Sequence, residues 1–456
     1  MPQRHEATMK HEGRLCVSSC LRVLVAKNLY LRGKSYINLM KVLIRNVTIT
    51  SATSSYNGQS KDILIEDGVI TRIDNEIIDD SAQVITNEGM HISEGWMDCF
   101  ANFCDPGYEF KETLQSGALA AAAGGFTTVM VIPNTFPVVD NKSQVEYIVQ
   151  SRNHPVTIHP IGAVTKKCEG QELTEMYDMH RSGAIAFSDG INSIQSSGIL
   201  LKSLQYVLAF GGTIIQLPDD QNIGSSGLMT EGIISTQLGL PGKPAISEEL
   251  LIARDIELAA YTGSQIHFTG ISTERSLDLI LDAKEKGVKV SCSVTPYHLF
   301  FCDEDLVSYD TNLKVNPPLR KRKDMLALRT AAIQGKIDFL ASHHQPQDWD
   351  NKTCEFEYAK NGMNGLESLF GVAMKCGIDI HTFVKMQTVN ICNIFGLPLA
   401  SIEPGAKANL TLFNPGMDYC FEGSKMYSKS RNNAFISKSL RGKPLGIING
   451  DKLFLN

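Results

Sequence analysis

Four histidines, His267, His298, His343 and His344, lie at or near the ends of apolar, β-like runs. Asp189 and Cys104 fall just beyond two further runs. Imidazoles and carboxylates are zinc donors when their atoms converge at about 2.0 to 2.2 Å. A thiol becomes a nucleophile when a neighbouring base or cation lowers its pKa. Ligation depends on converging geometry rather than on counts, so these histidines are expected as hydrogen-bonded side chains, with His267 inside a strand. Asp189 is expected to be hydrogen-bonded or solvated rather than catalytic. Cys104 has no His or Asp partner that the sequence identifies. Lys314, Arg320 and Arg322 read as a solvated or helix-capping cluster.

Eight apolar runs alternate with helix-length segments: 95–100, 127–132, 157–162, 185–187, 213–217, 265–268, 288–294 and 337–341. Uninterrupted apolar runs are strands buried on both faces, and eight β/α alternations predict a closed parallel (β/α)8 TIM barrel over 93–399. Chemistry on such a barrel sits on the loops after the strands, where the residues above fall. Short β runs separated by turns fill 40–92, with Asp67 and Gly68 at a tight hairpin, and β runs return over 400–456. Runs at opposite ends build one domain only by pairing with each other, which predicts a small discontinuous β-sandwich. Residues 1–39 hold seven Lys/Arg against two Glu and read as a poorly ordered extension. They lack the apolar stretch and cleavage site of a secretory signal; an upstream extension, with targeting as the alternative, is the expectation.

Over 456 residues the chain is 43% hydrophobic and 20% charged, enough to bury a large core. A net charge of −6 and the lack of a basic block interleaved with aromatics argue against nucleic-acid binding. Eleven cysteines without a CxxC pair read as reduced thiols of a cytoplasmic protein. No apolar run approaches the roughly 18 to 20 residues of a membrane span.

The order of motifs is more specific. Asp98 to Gly107 reads DCFANFCDPG, and Gly117 to Thr128 reads GALAAAAGGFTT. Then come Val131 to Thr135 (VIPNT), Ala186 to Gly190 (AFSDG), Leu238 to Gly242 (LGLPG) and Val294 to His298 (VTPYH). Asn312 to Arg320 (NLKVNPPLR), Gly365 to Glu367 (GLE), Thr388 to Asn390 (TVN) and Ile402 to Ala406 (IEPGA) complete the series. From about residue 40 to the end this frame resembles the dihydroorotase family of the amidohydrolase superfamily. The resemblance implies a metal-dependent hydrolase barrel that opens or closes a cyclic amide with Zn2+, which acidifies a bound water and polarises the scissile carbonyl.

The positions that would carry this chemistry depart from the family pattern. The family's DxHxHxR becomes a stretch with Phe100, Asn102 and Cys104. Phenylalanine donates no lone pair, a neutral amide is a poor zinc ligand, and a thiol does not imitate the bidentate fork by which arginine holds a carboxylate. The His ligands of two later strands are matched by Gln216 and Gly270. The final motif, ATDHAPH in the family, reads ASHHQPQ here, with His343 for the general-base Asp and Gln347 for the substrate-binding His. Asp189 stands near the family's bridging carboxylate, and Asn134 remains of the substrate-carboxylate set.

The expectation is therefore a metal-free dihydroorotase homologue of pyrimidine biosynthesis, catalytically inactive, acting as a structural or regulatory subunit. By the same resemblance its partner would be aspartate transcarbamoylase and its own assembly a homodimer. The alternatives are an active cyclic amidohydrolase with a rebuilt metal site and a small-molecule sensor.

Overall fold

The computed structural model describes residues 37–38 and 41–456. The chain divides into Met1–Gly33 and Lys34–Asn456, and all described residues belong to the second unit. Apart from Ile37 and Asn38, the extension over 1–39 lies outside the described residues. Those two pair with Leu453 and Lys452 at the edge of a sheet.

The barrel strands are β1 (Trp96–Ala101), β2 (Phe126–Val131), β3 (Thr157–Gly162) and β4 (Ala186–Phe187). They continue with β5 (Ile214–Gln216), β6 (Ile266–Phe268), β7 (Val290–Val294) and β8 (Phe339–Leu340). All eight are parallel neighbours in chain order. Every expected run overlaps one, and β1, β2 and β7 are buried along their whole length. The alanine-rich helix Leu114–Ala123 after β1 is capped by Thr113, whose Oγ1 accepts from Ser116 N at 3.0 Å. Its small side chains bring it close against the barrel. No helix among the described residues is long and apolar enough to cross a membrane.

β1 and β8 close the ring through few backbone bonds. Ala101 bridges His344, and Asn102 N donates to His344 O at 2.8 Å. Side chains complete the seam. The Asp98 carboxylate accepts from Ser342 N at 2.6 Å and Ser342 Oγ at 2.8 Å. Gln387 Nε2 donates to Met97 O (3.2 Å) and Leu340 O (3.1 Å), while its Oε1 accepts from Leu340 N (3.0 Å). Gln387 lies in a π-helical turn, Met386–Asn390, and Asn390 Nδ2 donates to Asp338 O at 2.6 Å. The π-helical turn that carries Gln387 and the TVN motif is thus a clasp on the closing edge.

Strands from both chain ends form one nine-stranded sheet. They meet where His91–Glu94 pairs antiparallel with Leu410–Phe413. Its own core includes Val42, Ile44, Ile63, Ile92, Leu410 and Ile448. Within the barrel's core Trp96 packs against Phe370, Phe383 and Phe413 in tilted and edge-on contacts, with ring centroids 4.7 to 5.1 Å apart. Asp67 and Gly68 make the expected hairpin, with Glu66 paired to Val69.

One expectation is corrected. Lys314 and Arg320 are buried, not solvated. Lys314 Nζ donates to Phe356 O (2.6 Å) and Glu357 O (2.9 Å), and Arg320 pairs with buried Glu248 at 3.2 Å. A buried cation needs partners, and these come from distant segments that local sequence does not reveal. Arg322 alone is exposed, paired with Glu304.

Gln387→Leu leaves three backbone groups unpaired at a buried seam. The expected cost is about 2 to 4 kcal/mol, read as a lower urea midpoint; a loss under about 0.5 kcal/mol removes the clasp.

Candidate functional site

Phe100, near the end of β1, and His343, just after β8, face each other across the closing edge with ring centroids 4.5 Å apart and planes tilted by 32°. Both are buried. His343 Nε2 bonds Thr269 Oγ1 at 2.7 Å, and Thr269 Oγ1 bonds Ser293 Oγ at 3.1 Å. The row continues to His267 Nε2 (3.0 Å), whose Nδ1 bonds Ser291 Oγ (2.8 Å). His267 lies within β6, stacked on Phe339 at 4.6 Å. Burial pushes both imidazoles down to about 3, so they are neutral at physiological pH.

Gly270 explains where His343 fits. Its φ is +68°, and a Cβ built there would stand 2.4 Å from His343 Cε1 and 3.0 Å from Nε2. A side chain at 270 and the imidazole of 343 therefore compete for one volume. The backbone at 270 is also in the left-handed region that glycine tolerates best.

The other ligand positions are committed elsewhere. Asn102 Oδ1 accepts from Cys104 N at 2.8 Å, and its Nδ2 reaches Gln345 Oε1 at 3.4 Å. Gln216 Oε1 accepts from Ile194 N (3.3 Å), while its Nε2 donates to Ile194 O (3.3 Å) and Asp255 Oδ2 (3.2 Å). Both carboxylate oxygens of Asp189 accept from Thr165, from N at 2.8 Å and from Oγ1 at 2.5 Å. Burial lifts the Asp189 carboxyl to about 6 despite those bonds. The structure thus places Asp189 as a hydrogen-bonded, not solvated, group. Phe100 and Gly270 offer no donor atom, so these side chains do not form a zinc donor set. Among the described residues the one grouping of potential ligand atoms is Cys302, Asp303 and Glu304, none of which lines the cavity below.

The remaining expected residues also turn away from ligand chemistry. Asn134 Nδ2 donates to Asp189 O at 3.1 Å and its Oδ1 accepts from Ile191 N at 3.0 Å, so it clamps the loop after β4. Cys104 is buried, and burial pushes its thiol up to about 12, away from thiolate. Gln347 Nε2 donates to Asn361 O at 2.8 Å, while its buried Oε1 has no partner among the described residues. His298 bonds Thr295 Oγ1 (2.8 Å) and Pro317 O (3.1 Å), and burial lowers it to about 4. His344 Nε2 faces Glu112 at 3.4 Å; the same carboxylate accepts from Ser428 Oγ at 2.5 Å and Lys429 N at 3.1 Å. Burial would raise the Glu112 pKa, but its bond from His344 and those from the serines outweigh that and hold it low.

A cavity of about 160 Å3 opens at the mouth beside Phe100 and His343. Leu217, Tyr297, Asn316, Gln345 and Asn361 also line it, and sequence reasoning did not single these out. The available signal was position: Leu217, Tyr297 and Gln345 each follow a strand end by one to five residues.

Solved structures of a hydantoinase and a dihydropyrimidinase share this fold. L-hydantoinase (dihydropyrimidinase) from Arthrobacter aurescens superposes with a TM-score of 0.78 at 20% identity, covering 91% of this chain and 96% of that one. Dihydropyrimidinase from Brevibacillus agri NCHU1002 gives 0.78 at 18% identity, covering 91% and 95%. A dihydro-orotase-like family model matches residues 89–276 and an amidohydrolase family model residues 225–450. The dihydroorotase of Pelotomaculum thermopropionicum is 37% identical over 423 residues, 91% of this chain and 99% of that protein. That of Syntrophus aciditrophicus is 36% identical over 412 residues, 89% and 96% of the two chains. The chain belongs to the dihydroorotase family.

Gly270→His is expected to destabilise the protein by about 2 to 4 kcal/mol through strain and overpacking. Adding His343→Asp should recover at least about 1 kcal/mol of that loss, and strictly additive unfolding energies would separate the two positions. His343 also sets a pH dependence. Its folded pKa, about 3, lies below the ordinary imidazole value of 6.5, so on acidification the unfolded chain takes the proton first. Stability from this group is complete above about 6.5 and is lost as pH falls toward 3. Between pH 7.5 and 5 the native protein should lose about 2 kcal/mol relative to His343→Gln in paired denaturation curves.

Proposed function

We propose that this chain is a non-hydrolysing dihydroorotase homologue of pyrimidine biosynthesis, a structural or regulatory subunit acting with aspartate transcarbamoylase. It works in the cytoplasm as a homodimer and holds no zinc at the barrel mouth. The observation that carries the reading is the shared volume at Gly270 and His343, closed on its other side by Phe100. The His343 imidazole stands against Gly270, where the family resemblance implies a ligand, and its Nε2 is spent on Thr269. Hydrolysis of a cyclic amide needs an activated water. A neutral His343 without a metal-bound water has no such nucleophile to deprotonate. The partner and the dimer rest on the family resemblance.

Metal analysis of the purified full chain, with dihydroorotate hydrolysis assayed with and without added Zn2+, tests the first half. The expected result is substoichiometric zinc and no turnover in either condition; stoichiometric metal together with turnover establishes the rebuilt amidohydrolase instead. For the second half, the chain should co-elute with aspartate transcarbamoylase of the same organism, and separate monodisperse peaks for the two proteins end the partner assignment.

A further inference from the structure

The cavity at the barrel mouth is electrically neutral: no residue lining it carries a charge at neutral pH. Phe100, Leu217 and Tyr297 supply apolar and aromatic wall, and Asn316, Gln345 and Asn361 supply neutral amides. Lys243, behind the wall, reaches Asn316 Oδ1 at 3.3 Å but is already paired with Asp219 at 2.6 Å. A carboxylate entering here would lose its hydration with no counter-charge to replace it. Neutral polar groups face no such loss, because the wall offers both donors and acceptors. Gln345 spends its carbonyl oxygen on Asn102, which leaves its Nε2 hydrogens uncommitted among the described residues. His343 is tied at Nε2 only, so Nδ1 remains for a ligand. The size is equally restrictive, since a cavity of about 150 Å3 accommodates one benzene ring, and this one measures about 160 Å3.

We propose that the barrel mouth binds an uncharged, single-ring cyclic amide, stacked between the aromatic wall and the neutral amides, without turning it over. Recognition comes from ring shape and amide hydrogen bonds, and the missing counter-charge excludes the ring's carboxylated counterpart. The proposal rests on the reading that this mouth performs no metal-assisted hydrolysis.

Calorimetric titration of the full chain with dihydrouracil and uracil, against dihydroorotate and orotate, compares rings that differ by one carboxylate. At least one neutral ring should bind, and each anion at least tenfold more weakly than its neutral counterpart. Ile191, 44% exposed at the rim, provides a blocking variant away from the core. Ile191→Trp should abolish binding while the unfolding midpoint stays within a degree or two of the native value. The proposal is overturned if no neutral ring binds, if an anion binds as well as its neutral counterpart, or if Ile191→Trp binds undiminished. Zinc content and turnover measured on the same preparation keep the outcomes apart. A zinc-free, inactive protein that binds no ring ends only the ligand proposal, whereas stoichiometric zinc with turnover ends the reading beneath it.

Discussion

The closure of the barrel between β1 and β8 is the constraint on which the rest of the structure depends. A parallel sheet of eight strands closes only if its first and last strands meet, and here the last strand is short. Side chains therefore do what a longer backbone ladder would do. Asp98 ties β1 to Ser342, and Gln387 satisfies backbone groups of both strands from a π-helical turn. Burial raises the Asp98 carboxyl while the bonds from Ser342 oppose that shift, so the group is held by its partners rather than by solvent. Because Phe100 lies on β1 and His343 follows β8, this same closure sets the distance between their rings.

The mouth built on that edge is packed and electrically neutral. His343 takes the volume beside Gly270, Phe100 covers its face, and a row of hydroxyls and imidazoles runs inward from it to Ser291. Each member of the row finds a partner, which allows so many polar groups to be buried inside the barrel. Polar groups at the other ligand positions are likewise satisfied by their neighbours. Asp189 serves Thr165, Gln216 serves Ile194 and Asp255, and Asn134 serves the loop after β4. Asp189 and Asn134 thereby hold the loops around them.

Much of the frame was legible without coordinates because it depends on local patterns. Largely apolar runs marked all eight barrel strands, most of which are buried along their length. The hairpin at Asp67 and Gly68 follows from turn chemistry confined to two residues. The absence of imidazoles at Phe100, Asn102, Gln216 and Gly270 is a property of residue identity, and so is the order of motifs that carries the family resemblance.

Tertiary structure decided everything that depends on which distant segments meet. Burial of Lys314 and Arg320 depends on Phe356, Glu357 and Glu248, and nothing near either residue in sequence signals those partners. The exclusion between Gly270 and His343 is a distance of 2.4 Å between positions more than seventy residues apart. The uncharged cavity likewise gathers one or two residues from each of several loops, and no single stretch of chain contains enough of them to be read. Residue types alone determine that Phe100 and Gly270 offer no ligand atom where the family resemblance implies one. Packing decided what stands there instead, because occupancy of a volume belongs to the folded assembly of segments and not to any one of them.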